Sequence, residues 1–168
     1  TPRSSSAASD VYKRQVVHAA FAFIVIGMGL KLALFPMHVW LPNAYTYAPS
    51  LVTVFLAATS TKVSVYVLLR FLFTAFGPTY DFVTLTFEFV LLPLAIVAMF
   101  AGSLTAIFQT NAKRLFAYSS VAQLGYMMLG VSLSNIPGLM ATILHIFNHA
   151  LMKGALFMAL GCVMYRLG

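Results

Sequence analysis

Acidic residues are nearly absent from this chain: three Asp and Glu stand against ten Lys and Arg in 168 residues, and only 8% of residues are charged. A soluble domain carries roughly 25% charged residues, so a water-facing surface around the whole chain is excluded. A single cysteine, Cys162, rules out a disulfide within the chain and any multi-cysteine metal site. The basic residues are scattered and form no stripe, so the net charge of +7 does not point to nucleic acid. What is present instead is apolar: 61% of residues are hydrophobic and the mean hydropathy is +0.93. That is the composition of a polytopic membrane protein, whose surplus Lys and Arg sit in cytoplasmic loops and at buried positions.

Residues 1–15 (TPRSSSAASDVYKRQ) stand apart from the rest. They are polar and Ser-rich, with Arg3, Lys13 and Arg14, and the chain turns abruptly apolar at Val16. No small-residue cleavage site follows a short apolar core, so a signal peptide is a poor reading. The expectation is a disordered or foreign leader over 1–15 and a membrane transporter domain over 16–168. Gly168 closes directly after an apolar span, which reads as a piece of a longer protein.

Hydropathy and helix breakers divide 16–168 into about five spans, each near the 20 residues that cross a hydrocarbon core. They fall at 16–35, 51–76, 83–108, 115–133 and 138–165, giving an all-α polytopic fold with short connections and antiparallel neighbours. Pro36 interrupts the first span, and MHVWLPNAYTYAP follows with Pro42 and Pro49. Proline removes a backbone donor and clashes with the preceding turn, so this helix breaks or ends in a re-entrant piece. Lys113, Arg114 and Arg166 fall on one side of the membrane, and the loops around Pro78–Asp81 and Asn135–Pro137 hold no Lys or Arg. The positive-inside rule then places Lys113, Arg114 and Arg166 in the cytoplasm, with Arg70 snorkelling near the outer end of the second span.

Lys62 lies near the middle of 51–76, where a charged ammonium costs about 2.5–3.5 kcal/mol on insertion scales. It needs a carbonyl or carboxylate partner in a structural role, or water and a proton-handling role. Intramembrane ionisable groups favour the second reading. Lys31 is either an interfacial lysine or a group facing carbonyls freed by the Pro36 break, the arrangement transporters use at ion sites. His145, His149 and Lys153 in HIFNHALMK are spaced by four, a drift of only about 40° per step, so they share one helix face with Asn148 beside it. Polar packing between helices is the bland reading of that face. A proton relay is the sharper one, because imidazole titrates near neutral pH and has two nitrogens. H-x-x-x-H without a zincin glutamate gives no metal site. His18, His38, Trp40, Tyr45 and Tyr47 read as interfacial. Asp81 reads as a solvated loop residue, and Glu88 as a shallow boundary or a counter-charge.

Four motifs around these residues resemble one family, the proton-conducting antiporter-like subunits shared by Mrp-type cation/proton antiporters and respiratory complex I. They are GLKLALFPMHVWLPNA around Lys31, TKVSVYVLLRF around Lys62, NAKRLFAYSSVAQLGY at 111–126 and HIFNHALMKGALF at 145–157. They stand in the family's order and spacing across essentially 16–168. The resemblance implies a fourteen-helix fold with two inverted five-helix repeats, of which this chain corresponds to helices seven to eleven, the second repeat with its broken first helix. It also implies a relay through Lys31, Lys62, His145, His149 and Lys153. No cofactor, metal or catalytic centre of its own is implied. The expected partners are the bilayer, other subunits of a hetero-oligomeric complex in the inner membrane, protons and Na+, with no nucleic acid. NHALMKGALF favours the D-type component of an Mrp-type Na+/H+ antiporter. The alternatives are a membrane-arm subunit of NADH:quinone oxidoreductase or a related hydrogenase, and a structural membrane scaffold.

Overall fold

The computed structural model describes residues 3–76 and 87–167, with side chains over 15–76 and 89–167. Asp81 and the side chain of Glu88 lie outside them, as does the loop at Pro78–Asp81. The described residues form α1 (Arg3–Leu32), α2 (Trp40–Tyr47), α3 (Ser50–Phe76), α4 (87–107), α5 (Ala112–Ser132) and α6 (Ile136–Leu167). Helix is the form expected in lipid, because it satisfies each backbone donor and acceptor within its own segment.

The first helix is broken where the prolines predict. After Leu32 the chain turns through Ala33 at φ 56°, a left-handed backbone, and Leu34 N donates back to Gly29 O at 2.9 Å. The Phe35–Pro36 peptide is cis. Trp40 Nε1 donates to Leu30 O at 2.9 Å, tying the start of α2 to the last turn of α1. The two pieces are thus linked through Leu30 O, which also accepts from Ala33 N at 3.1 Å. At the other end, α1 is continuous from Arg3.

Four helices among the described residues are long and apolar enough to cross a membrane: Gln15–Leu32, Ser50–Phe76, Phe89–Ile107 and Ile136–Leu167. The expected span at 115–133 is also a helix, α5, and its 21 residues reach about 31 Å. It is less apolar than the other four because protein covers it on more than one face. Consecutive residues Ser120, Val121 and Ala122 are all buried, and α5 packs on α2, α4 and α6. A helix shielded from lipid by its neighbours can keep Ser, Gln and Tyr.

Two glycines let α4 and α5 approach closely. A Cβ on Gly125 would stand 2.9 Å from Ala95 O, and one on Gly102 would stand 2.7 Å from Ala122 N. Small residues at helix interfaces are the usual device in membranes, where packing drives association in the absence of water. Capping follows local chemistry. Asn111 Oδ1 accepts from Lys113 N (2.9 Å) and Arg114 N (3.4 Å) to open α5, and Asn135 Oδ1 accepts from Gly138 N (2.7 Å) to open α6.

Ser50 opens α3 beside Gly161, and the two share a groove with Arg166. Lys113 Nζ donates to Ala48 O at 3.0 Å, just ahead of Ser50. Lys113 and Arg166 therefore occupy the same end of the bundle, opposite the α5–α6 turn. Lys113 is buried against that carbonyl and is not a free loop lysine.

Candidate functional site

The groups singled out on α3 and α6 converge. Lys62 is 4% exposed, Lys153 2% and His149 0%. The helices that carry them approach closely: a Cβ on Gly154 would lie 3.5 Å from Ala58 Cβ. Lys62 Nζ donates back to Ala57 O, within the π-helical turn Leu56–Ser60. Such turns widen a helix by one residue and recur at functional sites. Lys153 Nζ donates to Phe116 O on α5 at 2.9 Å and stands 5.6 Å from the centre of the Phe116 ring, within cation–π reach.

Each ammonium is therefore held by a backbone carbonyl, and among the described residues no carboxylate pairs with either. Lys153 lies one turn beyond His149 on α6, and α6 packs on α3 beside the turn that carries Lys62. The His145 and His149 rings stack at 5.9 Å between centroids and 10° between planes. That stacking is what a spacing of four on one face produces. Neither ring nitrogen of His149 has a hydrogen-bond partner among the described residues, nor has Nε2 of His145. Buried polar atoms are nearly always satisfied by protein or water, so unpaired imidazole nitrogens mark a place where water or a proton fits. Asn148 faces outward from this cluster and is exposed.

Lys31 lies in the last turn of α1, where its side chain is exposed. Its neighbours Leu32, Ala33 and Leu34 are the residues that turn inward at the break. Tyr45 differs from expectation. It is 2% exposed, packs edge-on against Phe157 at 5.5 Å and donates its hydroxyl to Leu56 O at 3.4 Å. It belongs to the wall of the site and not to a membrane interface. Its position four residues after Leu41 on a short apolar helix was the available signal. His38 is half-buried at the break, stacked on Phe35 at 5.3 Å. The π-helical turn before Lys62 has no signature in LAATS that a reading of the sequence could use.

Chemically, the arrangement offers two ammonium groups and two stacked imidazoles in a low-dielectric setting, with no acid beside them among the described residues. It is suited to exchanging protons and lacks the ligands for a metal: among the described residues no three His, Cys, Asp or Glu side chains are gathered to hold an ion.

Comparison with known proteins bears on what such a site serves. The family described as "NADH:quinone oxidoreductase/Mrp antiporter, TM" matches residues 4–168. NADH-quinone oxidoreductase subunit N of Desulforudis audaxviator is 46% identical over 156 residues, covering 91% of this chain and 30% of that protein. Among solved structures, the Mrp complex from Dietzia sp. DQ12-45-1b is similar with a TM-score of 0.79 and 29% identity, over 89% of this chain and 27% of the matched one. The membrane-bound sulfane sulfur reductase, an archaeal respiratory membrane complex, is similar with a TM-score of 0.77 and 34% identity, over 89% and 30%. The chain thus spans about a third of the length of the relatives it matches. With an all-helical fold, a broken first helix and a family match over nearly its whole length, the chain belongs to the membrane subunits of the NADH:quinone oxidoreductase/Mrp antiporter family.

Proposed function

We propose that this chain is the part of an antiporter-like subunit that conducts protons through Lys62, His149, His145 and Lys153. The observation that carries the reading is His149: fully buried, without a partner on either nitrogen among the described residues, and one helical turn from the buried Lys153. An imidazole so placed can accept a proton on one nitrogen and release one from the other. Lys31, in the last turn of α1 at the helix break, completes the proposed relay. Residues 16–168 form the conducting portion, and the polar stretch 1–15 is an appendage to it.

Within the family we propose a D-type component of an Mrp-type cation/proton antiporter, working with other subunits in the inner membrane and exchanging protons against Na+. NHALMKGALF and the likeness to the Dietzia Mrp complex support it. The second reading, a proton-pumping membrane-arm subunit of NADH:quinone oxidoreductase, is equally supported by the 46% identity to subunit N. Shared placement of Lys113 and Arg166 at one end supports a cytoplasmic location for that end, together with Arg114.

The relay is tested by His149→Ala in the full-length subunit within its complex. Proton uptake into inverted vesicles should fall to background while the complex assembles. Normal uptake would leave the scaffold reading standing. Sodium-dependent proton exchange without quinone or nicotinamide separates the antiporter from the oxidoreductase subunit.

A further inference from the structure

Lys153 meets Phe116 twice. Its Nζ donates to Phe116 O at 2.9 Å and stands 5.6 Å from the centre of the Phe116 ring. The carbonyl is a shared anchor: Ser120 Oγ donates to it at 3.0 Å, and an oxygen inside α5 also serves the helix's own ladder. A carbonyl has two lone pairs, so the ammonium competes for this one. The carbonyl also accepts from a lysine whether or not the amine carries its extra proton. The ring face is selective, because its quadrupole attracts only the cation, and that attraction is significant within about 6 Å of the centroid. The ring is itself held. Phe157, one helical turn beyond Lys153 on α6, is buried and meets Phe116 edge-on at 5.7 Å and 79°. Tyr45 of α2 meets Phe157 edge-on in turn, and its hydroxyl donates to Leu56 O, at the start of the π-helical turn whose Ala57 O receives Lys62. Three rings on α2, α5 and α6 thus form one brace from Lys153 to the backbone that holds Lys62, in the edge-on geometry that aromatic pairs prefer.

We propose that Phe116 is a positioning residue of the proton path: its ring, oriented by Phe157 and Tyr45, holds the Lys153 side chain in place while it carries a proton and leaves it to the shared carbonyl once the proton has passed on. The proposal deepens the relay reading and rests on it. It assigns to the path a side chain that does not itself titrate.

Ring fluorination separates this role from packing. In the full-length subunit within its complex, Phe116 is replaced through an amber codon by phenylalanine carrying one, two or three ring fluorines. Fluorine drains electron density from the ring face and changes the ring's size little, so the attraction for a cation weakens stepwise while the contact with Phe157 stays. Proton uptake by inverted vesicles, measured per assembled complex, should fall with each fluorine and reach about a tenth of the parent's with three. Phe116→Leu keeps the carbonyl and removes the ring, and should fall at least as far. Uptake that stays flat across the fluorinated series would overturn the positioning role whatever Phe116→Leu does, because a packing residue responds to loss of the ring and not to its electron density. The series keeps the parent's shape and so remains decisive if Phe116→Leu fails to assemble. His149→Ala, run in parallel, tells two failures apart. A flat series with uptake abolished in His149→Ala refutes the role of Phe116 and leaves the relay, whereas normal uptake in His149→Ala refutes both.

Discussion

Replacing Lys62 by Met distinguishes a group that moves protons from one that merely holds two helices together. The substitution removes a cation whose presence at mid-membrane depth costs about 2.5–3.5 kcal/mol. It also removes the hydrogen bond from that cation to Ala57 O, and bonds from charged donors contribute about 1.5–3 kcal/mol. These offset to within about 1 kcal/mol, and Met occupies a similar volume in the pocket beside Ala57 and Val65. Lys62→Met should therefore assemble with its partner subunits as the parent does. Proton uptake by inverted vesicles should nevertheless fall by about 10²–10⁴-fold, the range a positioned acid–base group supplies. Lys62→Arg sharpens the test, because guanidinium keeps the positive charge and does not release its proton. A relay fails with Arg, whereas a structural cation is restored by it. Full uptake in an assembled Lys62→Arg complex would refute the reasoning, and so would failure of Lys62→Met to assemble.

Other outcomes follow from the same geometry. Lys153→Met should also abolish uptake with assembly intact, read in the same vesicles, since it removes the second ammonium near His149. Gly125→Leu should destabilise the α4–α5 pair by about 1–3 kcal/mol through overpacking against Ala95 O and Met99 N, seen as a lower midpoint of thermal dissociation in detergent. Asn111→Ala should cost about 1 kcal/mol by uncapping α5, and Asn111→Asp should recover most of it in the same assay. Tyr45→Phe gives up a long hydrogen bond at 3.4 Å, so stability should fall by no more than about 0.5–1.5 kcal/mol, with uptake retained.

The cluster on α6 was legible in HIFNHALMK because helical periodicity alone puts residues four apart on one face. Lys62 was legible because an ammonium deep in an apolar run is expensive wherever the helix faces. Lys31 was not: one turn from a helix end, a lysine can point inward or outward, and the direction of the turn at Ala33 decides it. Lys113 reads as a loop cation until Ala48, 65 positions earlier, appears as its partner. Tyr45 reads as interfacial until α6 brings Phe157 against it. The fourth span was placed correctly as a helix, although its composition falls short of the other four, because hydropathy does not show that α2, α4 and α6 would enclose it.

By itself the sequence established a bundle of membrane helices, the break near Pro36, and which side chains must be reconciled with a medium of low polarity. Those properties are local, set by length, periodicity and the cost of burying charge. Only the tertiary structure decided that Lys62, Lys153 and His149 are buried together where α3 meets α6, and that the Lys31 side chain is exposed. A helix's own spacing fixes its faces, but which helix confronts each face depends on contacts between residues far apart in the chain.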